Sequence, residues 1–201
     1  MIRNILFDLG GVVIDLAFMQ MVEAFEDLGV KDFKQYFTLQ KQQQLFLDLE
    51  LGNISPENFY DEFRKLTNTQ LSNEQIRNAW NKILTPFIPE RMALLEKLAD
   101  KYKVYLFSNT NKIHADYFEE DCRKITGKDL HSYFTHAFYS QDLQLRKPEP
   151  ESFLEVLKQA GIEANETLFI DDNLDNINGA QSVGIQTIHL QAPMTILDLD
   201  F

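Results

Sequence analysis

The stretch Ile2-Arg3-Asn4-Ile5-Leu6-Phe7-Asp8-Leu9-Gly10-Gly11-Val12-Val13 constrains the fold more than any other part of this chain. A short apolar run ending in a carboxylate and two glycines has the form of a buried parallel strand followed by a turn. Asp8 then stands at the strand's carboxyl end, the edge of an open α/β sheet at which ligands bind. Gly10 and Gly11 let the backbone there come close to an anion. Taken alone, Asp8 reads equally well as a turn or capping residue. Later strand ends have to decide.

After Asp15 the apolar period changes. Leu16, Met19, Met21, Val22, Phe25 and Leu28 recur at helical spacing up to Gly29, and Phe33, Tyr36, Phe37, Leu45, Phe46 and Leu49 predict a second helix up to Gly52. Ser55-Pro56-Glu57 offers an N-cap with proline at the first helical position, and Ser72-Asn73-Glu74-Gln75 matches a capping box. Residues 16–84 therefore read as purely helical, with the Phe and Met stripes as core and Gln40 to Gln44 as a solvated face. Beyond Pro86 and Pro89 the pattern alternates. A helix over 90–101 leads to strand Val104–Phe107, then a helix, a short strand over 136–139, a loop over 141–150 and a helix over 151–160. Strand Thr167–Ile170, a helix and a last strand over 186–190 complete it. This predicts an α/β fold: a mostly parallel sheet with helices on both faces, formed by residues 1–15 and 85–201, with the all-helical block 16–84 inserted after the first strand.

Asp8, Ser108 and the pair Asp171-Asp172 each follow an apolar strand, so all project at one sheet edge, and Lys147 lies in a loop able to reach it. Three carboxylates close together repel unless a cation compensates, and carboxylate and water oxygens suit Mg²⁺. Ser108 and the backbone amides after it can donate hydrogen bonds to a phosphate, and Lys147 adds positive charge. Asp8 could then attack phosphorus, giving an aspartyl-phosphate that water hydrolyses. Each residue also has a plainer role: Ser108 and Asn109 as helix caps, Lys147 as a solvated loop lysine, Asp171-Asp172 as a cap with a first-turn acid. Four such positions at one edge favour a site.

Composition narrows the partners. With 31 acidic against 19 basic residues the net charge is −12, which argues against nucleic acid and anionic membranes and requires a local cation for any anionic substrate. The single cysteine, Cys122, rules out an internal disulfide, and His114, His131, His136 and His189 show no ligand spacing. No leader pattern and no apolar run near the roughly 20 residues of a membrane span are found, so a cytoplasmic location is expected.

The order Asp8, Ser108, Lys147, Asp171-Asp172 resembles the four motifs of the haloacid dehalogenase-like hydrolase superfamily over essentially the whole chain. Phe7-Asp8-Leu9-Gly10-Gly11-Val12-Val13, Ser108-Asn109-Thr110-Asn111, Ser140-Gln141-Asp142-Leu143 with Arg146-Lys147-Pro148-Glu149, and Asp171-Asp172-Asn173 with Asn176-Ile177 are similar to the bacterial glucose-1-phosphate phosphatase-like group. That group is related to the N-terminal phosphatase domain of soluble epoxide hydrolase. The resemblance implies a Rossmann-like core with a helical cap and a Mg²⁺-dependent phosphatase of small phosphorylated metabolites. It further implies Asp8 as nucleophile and metal ligand, Asp172 with Asp171 at the metal, Ser108 and Asn109 on the phosphoryl oxygens, and Lys147 steadying phosphate and Asp8. One position departs from the pattern. Where most phosphatases of the superfamily carry a proton-transferring aspartate, two residues after the nucleophile, this chain has Gly10, whose carbonyl can still bind the metal. Loss of a general acid, typically worth about 10² to 10⁴ in rate, favours a substrate with a good leaving group such as a sugar 1-phosphate. Asp15 or an acid from the helical block is the substitute to look for. The same glycine leaves open an impaired relative that binds a phosphorylated ligand or protein without turning it over.

Overall fold

The computed structural model describes residues 1–37 and 40–201, the side chains of 37 and 40–43 excepted. In chain order the elements are β1 (Asn4–Phe7), α1 (Phe18–Asp27), α2 (Gln40–Glu50), α3 (Pro56–Thr67), α4 (Asn73–Trp80), α5 (Pro89–Ala99), β2 (Lys103–Ser108), α6 (Lys112–Thr126) and β3 (His136–Tyr139). They continue with α7 (Ser140–Leu143), α8 (Pro150–Ala160), β4 (Thr167–Asp171), α9 (Leu174–Ser182) and β5 (Gln186–His189).

Alternation along the strands builds two cores from one sheet. Ile5, Phe7, Val104, Leu106 and Ile170 pack on one face against Met92 and Leu95 of α5 and Phe118 and Cys122 of α6. Leu6, Tyr105, Phe107 and Phe169 pack on the other against Phe153 and Val156 of α8 and Ile177 and Ala180 of α9. Because both faces are covered, the strands read as unbroken apolar runs, as parallel strands do. The order is β3-β2-β1-β4-β5 and each pairing is parallel. The chain leaves β1 towards β2 and β3, then returns to the other side of β1 as β4 and β5. That reversal opens a crevice at the carboxyl ends of β1 and β4.

Helices α1–α4 lie between β1 and β2 and close around an aromatic cluster of their own, including Phe25, Phe59, Phe63 and Trp80. Phe25 and Phe33 stack with centroids 4.2 Å apart. Ile113, in the first turn of α6, is buried in the same cluster and roots the helical layer on the sheet layer. Ser55 accepts from the Asn58 amide, and Ser72 and Gln75 form the reciprocal capping box expected from the sequence.

Two local features differ from expectation, and a third expectation falls largely outside what is described. Phe33–Phe37 forms a 3₁₀ turn rather than part of an α-helix. It follows Asp32, whose φ of 52° breaks the helical path. The solvated face expected over Gln40 to Gln44 falls on side chains outside the described ones except at Gln44, which is exposed and donates to Asp48. The loop expected over 141–150 contains the single helical turn α7, too short to show a periodic pattern and ended by Gln144 at φ 55°. Among the described residues, no helix is long and apolar enough to cross a membrane.

One glycine fixes how the Lys147 loop meets the sheet layer. A Cβ at Gly179 in α9 would lie 2.2 Å from the Pro148 carbonyl oxygen, a backbone atom that has no rotamer through which to yield. Gly179→Ala is therefore expected to destabilise the fold by about 1–3 kcal/mol despite alanine's better helix propensity. Urea unfolding followed by circular dichroism checks this; a variant as stable as the parent refutes the close-contact account.

Candidate active site

Four sequence positions meet at the crevice between β1 and β4. Asp8 directly follows β1, and its amide donates to the Ile170 carbonyl at 2.9 Å, which sets it beside Asp171 at the end of β4. Lys147 Nζ lies between them, 2.8 Å from Asp8 Oδ1 and 2.7 Å from Asp171 Oδ2. At 1% exposure Lys147 is no solvated loop lysine. Oxygen atoms of Asp8, Asp171 and Asp172 lie within 4.8 Å of one another, a spacing at which three carboxylates can share a cation.

The helix caps that might have occupied these residues are supplied by others. Asn111 caps α6, accepting from the amides of Ile113 and His114, and Asn173 caps α9, accepting from Asp175 and Asn176. Ser108 and the two aspartates are thereby spared the capping role that each could fill on its own.

Burial pushes the Asp8 carboxyl up to about 7, with Lys147 opposing the rise and Asp171 adding to it. Burial also works against charge on Lys147, but Asp8 and Asp171 outweigh it and hold the ammonium above the usual lysine range. Asp172 is raised by partial burial and by Asp171. Three carboxylates against one ammonium leave the site short of positive charge, and hard oxygen donors in that state suit Mg²⁺.

The two adjacent aspartates differ. Asp171 is fully buried; its Oδ1 accepts from the Asn173 amide at 2.8 Å and from Asn176 Nδ2 at 3.1 Å, and its Oδ2 accepts from Asn176 and Lys147. Asp172 is exposed and lines the cavity. Gly11 makes room for it: at φ 79° a Cβ there would lie 2.3 Å from Asp172 Oδ2.

The phosphate-binding expectation sharpens. Both amide atoms of the Asn109 side chain bond to the Lys147 backbone, each at 2.9 Å, so that side chain clamps the lysine loop. The Thr110 amide donates to Ser140 Oγ at 3.0 Å. Among the described residues, the donors after β2 available to an anion include the hydroxyl of Ser108 and the N–H of Asn109, both cavity-lining residues.

A cavity of about 730 Å³ opens above these groups, walled on its far side by Leu16, Met21, Phe46, Trp80 and Ile83 of the helical layer. Three further polar residues to which the sequence assigned no role at the site also line it: Glu50 at the end of α2, Arg146 beside Lys147, and His114. None has a spacing that marks it. His114 Nδ1 pairs with Asn81 Oδ1 at 2.8 Å, its ring lies parallel to Trp80, and burial pushes it down to about 3, so it is neutral. Two polar residues of the helical layer are engaged elsewhere: Tyr60 is buried in the aromatic cluster, and Arg64 pairs with Asp61 and Asn73. Asp15 is taken by Arg91 at 2.8 Å and does not line the cavity, which removes it as the substitute acid.

The family model described as haloacid dehalogenase-like hydrolase matches residues 2–184. The chain belongs to that family. The D-ribitol-5-phosphate phosphatase of Bacteroides thetaiotaomicron is 32% identical over 187 residues, covering 93% of this chain and 91% of the relative. A solved haloacid dehalogenase-like enzyme from the same bacterium, in complex with magnesium and inorganic phosphate, superposes with a TM-score of 0.91 at 37% identity over 96% of each chain. A family hydrolase from Porphyromonas gingivalis gives 0.88 at 33%, covering 96% of this chain and 93% of that one. At Gly10, the position where the resemblance implies an aspartate in most phosphatases of the superfamily, Leu16 lies close by. A Cβ on Gly10 would lie 2.9 Å from Leu16 Cδ1, the far end of a half-exposed side chain that would have to turn aside to admit it.

Lys147→Met, which leaves Asp8 and Asp171 facing each other without a counter-charge, is expected to destabilise the metal-free hydrolase by about 3–5 kcal/mol at neutral pH. Urea unfolding in EDTA measures the loss; wild-type stability would show that the lysine does not hold these acids together.

Proposed function

We propose that this haloacid dehalogenase-like phosphatase, with Mg²⁺ as its cofactor, hydrolyses a small sugar or sugar-alcohol phosphate through an aspartyl-phosphate on Asp8. The observation that carries the reading is the convergence of Asp8, Asp172 and Lys147 on the wall of one cavity, with Asp171 behind them. Asp8, the Gly10 carbonyl and Asp172 would hold the metal, while Asp171, saturated by Lys147 and Asn176, steadies them from behind. When bound, Mg²⁺ supplies the missing positive charge that keeps Asp8 ionised against its burial.

The chain's own groups do the rest. The Ser108 hydroxyl and Asn109 N–H donate to the phosphoryl oxygens, and Lys147 orients the Asp8 carboxylate. An Asp8 oxygen forms a bond to phosphorus as the bond to the leaving oxygen breaks; water then attacks the aspartyl-phosphate, releasing inorganic phosphate and restoring Asp8. Residues 16–84 act as a cap over a core of 1–15 and 85–201, with Leu16, Met21, Phe46 and Trp80 excluding water from above.

With Gly10 in place of the usual acid, the leaving oxygen departs without a proton from that position. A sugar 1-phosphate suits this best, because its leaving oxygen is less basic than an ordinary alkoxide. A terminal sugar-alcohol phosphate is the chemistry named for the Bacteroides relative. Phosphate release from a metabolite panel with Mg²⁺ ranks the two. The panel is expected to include turned-over substrates, with activity abolished by EDTA and brought to background by Asp8→Asn. Tight binding of phosphorylated ligands without turnover would instead support the impaired binder. Sugar 1-phosphates should be cleaved faster than simple alkyl phosphates at matched Mg²⁺, and equal rates would sink the leaving-group account.

A further inference from the structure

Glu50 and Arg146 take no part in these steps, yet they join the two walls of the cavity. Arg146 Nε lies 2.5 Å from Glu50 Oε1, so the last residue of α2 is ion-paired to the residue immediately before Lys147. With about a third or less of each side chain exposed, the pair is poorly screened and well placed to hold its geometry.

A second link runs from the same residue to the other phosphate loop. Ser140 Oγ, fully buried, accepts the Thr110 amide at 3.0 Å and lies 2.8 Å from the Glu50 carbonyl and 2.9 Å from that of Thr110. A hydroxyl has one proton for those two carbonyls. While the end of α2 is docked, Glu50 is its nearer acceptor. Just beyond, Gly52 at φ 69° lets the chain lie against the Gln141 carbonyl, 2.4 Å from where a Cβ would stand. The side chain of Asn109 closes the circuit by clamping the Lys147 backbone. The strings Ser140-Gln141-Asp142-Leu143 and Arg146-Lys147-Pro148 thus meet the helical layer at the end of α2 and just beyond it, at Glu50 and Gly52.

We infer that Glu50 is a positioning residue: through Arg146 it sets the Lys147 loop, and through Ser140 the Ser108–Thr110 loop, so that docking of the helical layer aligns the phosphate site. This rests on the function proposed above. Lys147 and Thr110 are fixed by short backbone links to groups that Glu50 holds, and a displacement of about 1 Å at reacting groups costs up to about a hundredfold in rate.

The test uses the full chain with Mg²⁺ and p-nitrophenyl phosphate, whose leaving group makes few demands on the helical layer, together with inhibition by inorganic phosphate. Glu50→Gln is expected to lower kcat about ten- to a hundredfold with KM little changed. It should also alter inhibition by phosphate. The charge-exchanged pair Glu50→Arg with Arg146→Glu should recover most of the lost kcat over either single change. Ser140→Ala, which leaves the ion pair intact, is the second variant and should lose kcat in the same sense. Wild-type kcat in Glu50→Gln and Ser140→Ala overturns the inference. So does an effect confined to KM for sugar phosphates, with kcat and phosphate inhibition unchanged, because that marks a substrate contact. A wild-type enzyme that releases no phosphate defeats the proposed function itself, a result distinct from either.

Discussion

A buried ammonium between two carboxylates is the interaction on which the rest of this structure depends. Lys147 is 1% exposed, a placement that lysine tolerates only when its charge is matched. Asp8 and Asp171 supply the match from the ends of adjacent parallel strands, so the lysine holds only if β1 and β4 pair in their observed register. Every support of the loop serves that requirement. Asn109 clamps the lysine's backbone, Gly179 lets α9 approach the Pro148 carbonyl, and Asn176 satisfies the remaining lone pairs of Asp171.

The same interaction leaves an imbalance. One ammonium cannot neutralise Asp8, Asp171 and Asp172, and the chain around it is itself acidic, at −12. A divalent cation resolves the excess and makes the crevice attractive to a phosphate despite that field. The division of labour between the adjacent aspartates follows from burial: Asp171 is enclosed by donors, and Asp172 faces the cavity. Gly11 is needed at this point for two reasons at once, a left-handed φ and the close approach of Asp172.

The helical layer contributes in a different way. Its aromatic cluster is rooted on α6 at Ile113, and its inner surface turns the open crevice into a walled cavity. Leu16, a half-exposed side chain, lies beside Gly10 at the mouth of that cavity. Glu50 is the acid that the layer brings to the cavity wall among the described residues, and it arrives already paired with Arg146.

Much of this was legible in the sequence because it is local. Apolar runs such as Ile5-Leu6-Phe7 and Leu168-Phe169-Ile170 are long enough to declare strands buried on both faces, and Ser72 with Gln75 declares a helix start within four residues. Asp8, Ser108, Lys147 and Asp171-Asp172 could be placed at one edge because each sits at a fixed offset from such a run. What the sequence could not determine depends on distances between segments far apart in the chain. That the Asn109 side chain grips Lys147, that Asp15 is held by Arg91, and that Glu50 meets Arg146 across 96 positions were decided by how distant segments pack against one another. Side-chain pairing of that kind leaves no periodic trace in the sequence, since one charged residue at the end of a helix looks like any other until tertiary structure brings its partner within hydrogen-bond distance.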